Sequence, residues 1–232
     1  MKKTLLILAV FTFGATAFSQ IPNYVPQNGL VGWWPFNGNA NDESGNGNHG
    51  TVNGATLTAD RFGNVNQAYG FDGVDDSIQL GKTASQLGFA NASFSVSIWF
   101  NSSNTGNDSP LFSTNSGGAN TWLHYNLRGG SLHMGFYSND TSGGSVSNNV
   151  TYCATFIYDI SGSGTQSIYR NADLMASTPN HSALQSQNTF QIGGVYNGAY
   201  VGKIYQVLAY NKALSSTEVL QNFNAQKARF GL

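Results

Sequence analysis

One segment limits the fold more than any other. From Ser93 to Phe100, the large apolar residues Phe94, Val96, Ile98 and Phe100 alternate with Ser93, Ser95, Ser97 and Trp99. Apolar residues at every second position line one face of a β-strand, whereas a helix would need a period near 3.6. One face of this strand therefore enters a core and the other is mostly polar. Similar apolar segments recur along the chain between glycine and asparagine clusters, the pattern of an all-β sandwich.

A second segment, Trp122 to Tyr137, reads as a hairpin. Gly129-Gly130 meets the need for positive φ at both centres of a two-residue turn. That turn sets the register: Arg128 faces Ser131, and Leu127/Leu132, Tyr125/Met134 and Leu123/Phe136 share the core face. The opposite face then carries Asn126/His133, His124/Gly135 and Trp122/Tyr137. Further strands are expected over 152–159, 166–170, 189–193 and 201–210. The Asn-, Ser- and Gly-rich stretch 101–120 reads as a mobile loop. Near the end, Ser215 with Glu218 three residues on forms a capping box, opening a short helix that carries Val219, Leu220 and Phe223.

The N-terminus indicates the compartment. Lys2 and Lys3 precede an apolar run from Leu5 to Phe13 and then small residues, with Ala17 and Ser19 suited to a cleavage site. Residues 1–19 read as a signal peptide and residues 20–232 as one domain. The apolar run is too short to span a bilayer, so no membrane span is expected after cleavage. The expected location is extracellular, cell-surface or periplasmic. Charged residues are only 9% of the chain and the net charge is −1, so composition gives no footprint for nucleic acid or acidic lipid. The single cysteine, Cys153, can form no intramolecular disulfide, and its apolar setting reads as a small buried hydrophobe.

The opening stretch 29–50, GLVGWWPFNGNANDESGNGNHG, resembles the N-terminal signature of laminin-G-like jelly rolls, the concanavalin A-like lectin/glucanase class common in exported bacterial proteins. The stretch 68–76, AYGFDGVDD, is similar to the next signature, and 94–100 looks like the strand that follows. Residues 167–172, 191–193, 202–204 and 209–215 are similar to the later strands and exit, although Ala172 stands where a glycine is usual. The resemblance implies a two-sheet antiparallel jelly roll. It implies no particular ligand, because similar sandwiches bind sugars, proteins or lipids, or act as spacers.

Glycosidases on such folds need two carboxylates flanking the scissile bond. The two glutamates, Glu43 and Glu218, lie in a loop and in the capping box, and neither has an acidic partner along a strand. Asp75-Asp76 sits in a turn-like setting, and no nucleophile elbow or His-x-x-x-His spacing is present. The chain is therefore read as non-catalytic. One structural calcium is an expected cofactor: Asp42, Asn46 and Asn48 supply hard oxygens in a glycine-rich loop. In similar domains a late-strand acidic residue completes such a site; here Tyr205 and Gln206 stand there, leaving Gln206 a neutral ligand. The alternative is a loop held by Asx-turn hydrogen bonds.

The candidate ligand face comprises Trp122, His124, Asn126, His133 and Tyr137, aromatic rings for sugar faces beside groups that orient hydroxyls. Trp99 is a candidate to join them if its face is continuous with theirs. The plainer reading of Trp122/Tyr137 is a cross-strand pair that stabilises the sheet. Tyr196, Asn197 and Tyr200 form a second, loop-borne candidate. The expected function is a carbohydrate-binding or adhesive module; the alternative is a structural or protein-interaction domain whose partner is a cell-surface protein.

Overall fold

The computed structural model describes residues 21–232 apart from positions 24, 107, 196 and 197. The expected leader over residues 1–19 lies outside the described residues. The chain opens with β1 (Leu30–Trp34), β2 (Thr51–Asn53), β3 (Thr56–Thr58), β4 (Ala68–Asp72) and β5 (Ser77–Thr83), then a one-turn helix α1 (Ala84–Leu87). Next come β6 (Phe94–Ser102), β7 (Ser109–Thr114), β8 (His124–Arg128), β9 (Ser131–Gly135) and β10 (Thr141–Ser145). The last part holds β11 (Thr151–Asp159), β12 (Thr165–Arg170), β13 (Asp173–Pro179), β14 (Thr189–Gly193), β15 (Val201–Tyr210) and helix α2 (Ser216–Phe230).

Among the described residues these strands form two antiparallel sheets. The first runs β13-β12-β11-β6-β15-β4-β3, with β1 joined to the later half of β15; the second runs β10-β9-β8-β7-β14-β5-β2. The fold is thus the expected all-β, two-sheet antiparallel jelly-roll sandwich with a C-terminal helix. Phe94, Val96, Ile98 and Phe100 of β6 meet Phe112, Tyr125, Leu127, Met134 and Ile192 of the facing sheet in one apolar core. Period-two alternation on both inner faces accounts for this interdigitation.

The hairpin forms in the expected register, with Leu127 opposite Leu132, Tyr125 opposite Met134 and Asn126 opposite His133. Gly129 and Gly130 take φ of 56° and 73°, a left-handed pair that any Cβ would strain. The stretch 101–120 departs from expectation. It contains β7, buried along its whole length, because Ser109, Ser113 and Thr114 pair with neighbouring strands where a loop would leave them in water.

The outer face of β6 is not open either. Helix α2 lies over it, and Trp99 stacks on Phe230 at 4.4 Å and on Phe223 at 5.6 Å between ring centroids. The capping box is present: Ser215 Oγ accepts the Glu218 amide, and Glu218 Oε2 accepts the Ser215 amide. Val219 is buried and Phe223 packs on the cluster, but Leu220 points outward. A bulge between Ile204 and Gln206 turns both Tyr205 and Gln206 of β15 toward the helix. No described helix is long and apolar enough to cross a membrane.

Candidate functional site

Alternation places Trp122, His124 and Asn126 beside His133 and Tyr137 on the outer face of the hairpin, as expected. They do not make one open groove. Asp140 folds back over Gly135, where a Cβ would lie 2.0 Å from its Oδ1, and its carboxylate meets His124 Nε2 at 3.0 Å. His124 is consequently only 1% exposed, its Nδ1 facing the Trp122 carbonyl at 3.1 Å. Asn126 is fully buried and donates to Asp108 Oδ1 at 3.2 Å.

Asp108, Arg128 and Asp140 are the members of this face that sequence reasoning missed. Arg128 pairs with Asp108 through Nε and reaches Asp140 Oδ2 at 3.7 Å. Burial pushes the Asp140 carboxyl up, but the His124 hydrogen bond and the His124 and Arg128 charges outweigh it and hold Asp140 below the usual carboxylate range. Desolvation, aided by Arg128, lowers His133. His133 Nε2 bonds Ser142 Oγ at 3.0 Å, while His133 Nδ1 and Asn126 Oδ1 have no hydrogen-bond partner among the described residues.

At the other end of the hairpin the aromatic pair forms. The Trp122 and Tyr137 rings stack at 5.5 Å with 19° between planes, and the Trp122 indole N–H donates to the Thr114 carbonyl at 3.0 Å. Tyr137 is 42% exposed. It sits at φ 67°, followed by Ser138 at 63°, a left-handed conformation rare for a bulky residue. Asn139 holds that corner, accepting the Phe136 amide at 2.8 Å and donating to Asn120 Oδ1 at 2.8 Å.

Two of the other candidates are corrected. Trp99 belongs to the opposite sheet and is 1% exposed beneath α2, so it cannot join the hairpin face. Tyr200 is buried and spends its hydroxyl on the Lys203 carbonyl at 3.0 Å; Tyr196 and Asn197 lie outside the described residues.

The residues expected to hold calcium are each engaged by groups of the protein itself. The Asp42 carboxylate accepts three backbone amides: Trp33 and Ser44 on Oδ1 at 2.9 and 2.8 Å, and Asn48 on Oδ2 at 2.9 Å. Asn46 and Asn48 direct their NH₂ groups to the Leu30 and Val31 carbonyls at 3.1 and 2.7 Å. Gln206 Oε1 takes the Trp33 indole N–H at 3.2 Å and the Arg229 guanidinium at 3.1 Å. A cation there would face a guanidinium and compete with four N–H donors, so these residues do not fit calcium. They hold the loop by Asx hydrogen bonding. Oxygens of Asp72, Asp75 and Asp76 also crowd within 4.8 Å, in a turn whose own Asp72 and Val74 amides take Asp76 Oδ2 and Asp72 Oδ1 at 2.8 Å each.

With two antiparallel sheets, an inward-facing aromatic core and a closing helix in place, comparison with known families becomes decisive. The family model described as the concanavalin A-like lectin/glucanases superfamily, a laminin-G-type model, matches residues 72–220. The chain belongs to this superfamily. Among solved structures it resembles domain 4 of AbnA, a GH43 extracellular arabinanase from Geobacillus stearothermophilus, in complex with arabinotriose. That match has TM-score 0.66 and 19% identity, and covers 83% of this chain and 97% of that one. The binding domain of Paraclostridial Mosquitocidal Protein 1 matches with TM-score 0.69 and 17% identity, over 86% of this chain and 52% of that one. Trypanosoma rangeli sialidase matches with TM-score 0.65 and 20% identity over 88% of this chain, which spans only 33% of the sialidase. At such identities the likeness is one of fold. A search of curated proteins finds no match.

Proposed function

We propose that this chain is an exported, non-catalytic carbohydrate-binding module whose contact surface is the Tyr137 end of the hairpin. The observation that carries the reading is the Tyr137 ring, exposed, backed by Trp122 and held in a strained backbone corner. Strain of this kind is retained where a side chain must be presented in one pose. A rigid aromatic ring covers the apolar face of a sugar at little entropic cost, and the exposed Asp140 and Ser142 offer polar groups along the same face. Because Arg128 is already paired with Asp108 and Asp140, the rim is not cationic, which favours neutral sugars over acidic ones. The AbnA domain, solved with arabinotriose, supports arabino-oligosaccharides as the first ligands to try.

None of the carboxyls with a clear shift has the character of a glycosidase acid. Asp60, Asp140, Asp159 and Glu218 all shift below their usual range, whereas a glycosidase acid must be shifted up. The competing reading, a protein-interaction domain, draws on β13, an exposed strand at the end of its sheet with Leu174 turned to solvent.

The test is a glycan array followed by calorimetry with neutral oligosaccharides, comparing wild type with Tyr137→Ala after melting curves show both fold. Sugar binding weakened at least about tenfold in the variant is the expected result, as for loss of one stacking ring. Binding that survives Tyr137→Ala moves the site elsewhere. No binding to any glycan leaves the β13 edge as the surface to pursue.

A further inference from the structure

A second surface, unconnected with the sugar reading, stands at the C-terminal end of α2. The loop between β3 and β4 projects Phe62 and Val65 into solvent, 58% and 73% exposed, although nothing in a globular fold requires apolar residues there. The loop is not slack. Asp60 Oδ1 accepts the Phe62 and Asn64 amides at 2.8 and 3.0 Å, Asp60 Oδ2 accepts Asn64 Nδ2 at 2.9 Å, and the Asp60 amide donates to the Asn64 carbonyl at 3.0 Å. Arg61 then ties the loop to the helix end, donating through Nη1 to the Phe230 and Gly231 carbonyls at 2.9 and 2.6 Å while its guanidinium lies 5.3 Å from the Phe62 ring centre.

Cations gather behind this tip. Arg61 is in the loop, Lys203 Nζ donates to the Ala59 carbonyl at 2.8 Å, and Arg229 lines a shallow groove with Asp60, Phe62 and Asn64. These are three of the eight Lys and Arg residues that follow position 19, and Asp60 is the acidic residue among them. Arg229 gives Nη1 to Gln206 Oε1 at 3.1 Å and Nη2 to the Pro35 carbonyl at 3.2 Å, and bonding to such neutral oxygens leaves the charge of all three in place. The near-neutral net charge of the chain thus conceals a local positive field beside a pre-organised apolar tip.

We propose that this tip docks the protein on an anionic lipid surface, with Phe62 and Val65 entering the headgroup region and the positive field of Arg61, Lys203 and Arg229 behind them attracting the lipid phosphates. Two projecting side chains are far too little for a stable protein interface, which buries roughly 800 Å² on each partner. They suit a lipid surface, which needs no matching pocket and adds attraction from every cation held near it.

The experiment is vesicle co-sedimentation of the chain lacking residues 1–19, so that their apolar run contributes nothing; the described elements begin at Leu30, and a melting curve checks that this chain folds. Vesicles of phosphatidylcholine with about one-third phosphatidylglycerol are compared with pure phosphatidylcholine at low and high salt. Binding is expected on the anionic vesicles, to weaken with salt, and to fall about tenfold or more in Phe62→Ser/Val65→Ser. Val65→Ser alone, at the most exposed position, is expected to lose part of the binding with an unchanged melting curve. The proposal is overturned by absence of binding to anionic vesicles, by equal binding to both vesicle types, or by variants that bind like wild type. Equal capture of wild type and double variant on polygalacturonate beads, without vesicle binding, would instead assign the cations to a soluble polyanion.

Discussion

Replacing Tyr125 by phenylalanine should make the protein more stable. Tyr125 is fully buried among Phe156, Phe94 and Phe112, its ring 4.6 Å from that of Phe156. Its hydroxyl has no hydrogen-bond partner among the described residues, and burial drives its pKa well above the usual tyrosine value. An unpaired buried hydroxyl costs about 1–3 kcal/mol of lost hydration. Removing the oxygen gives up a few contacts of about 0.1–0.2 kcal/mol each. The void it leaves is smaller than a methyl group, for which about 1 kcal/mol is the upper bound. The net expectation is a gain of about 1 kcal/mol, or about 2–4 °C in melting temperature for a chain of this size. Equilibrium unfolding in urea, with an unchanged m-value, measures it directly. A loss of 1 kcal/mol or more would refute the reasoning and require an unseen partner, such as an ordered water, on the hydroxyl.

Three further outcomes are expected. Burial pushes the Cys153 thiol up to about 12, so a disulfide reagent at pH 8 should label it only at the rate of unfolding; prompt labelling of native protein would contradict its burial. Desolvation lowers the pKa of His133 and of His181, so below about pH 6.5 the unfolded chain takes up these protons first; the stability they contribute, full above that pH, is lost as pH falls through their folded values. A pH titration of the melting temperature should show this decline, and replacing both residues with glutamine should flatten it. Asp42→Ala removes the acceptor of three amides and should cost about 3 kcal/mol or more, equally in calcium and in chelator; a deficit seen only with calcium would restore an ion to that loop.

The hairpin was readable because its information is local: two glycines set the turn, and period two does the rest. The strand 201–210 and the capping box at Ser215 were legible for the same reason. β7 was hidden because its outer residues, Ser109, Ser113 and Thr114, are polar yet buried against neighbouring strands, so composition mimics a loop. The sheet to which Trp99 belongs, and the helix that covers it, depend on contacts between segments more than a hundred residues apart. The site was legible only as a face. Which of its members solvent reaches is decided by Asp140 folding across Gly135 onto His124, a turn geometry that residue type does not announce. Residue type also leaves open whether Asn46 and Asn48 turn an oxygen or an NH₂ inward, and here both NH₂ groups go to backbone carbonyls.

The position of β15 governs when the fold can exist at all. It is the shared neighbour of β1, β4 and β6 and supplies the floor on which α2 rests, yet it begins only at Val201. Before it is made, its sheet is three unconnected pieces, and Leu30 must wait for Tyr210. Closing so long a loop carries an entropic barrier that slows folding and makes it nearly all-or-none. A growing chain therefore remains unlocked until β15 arrives, and the first strand stays without its partner for the whole of that interval.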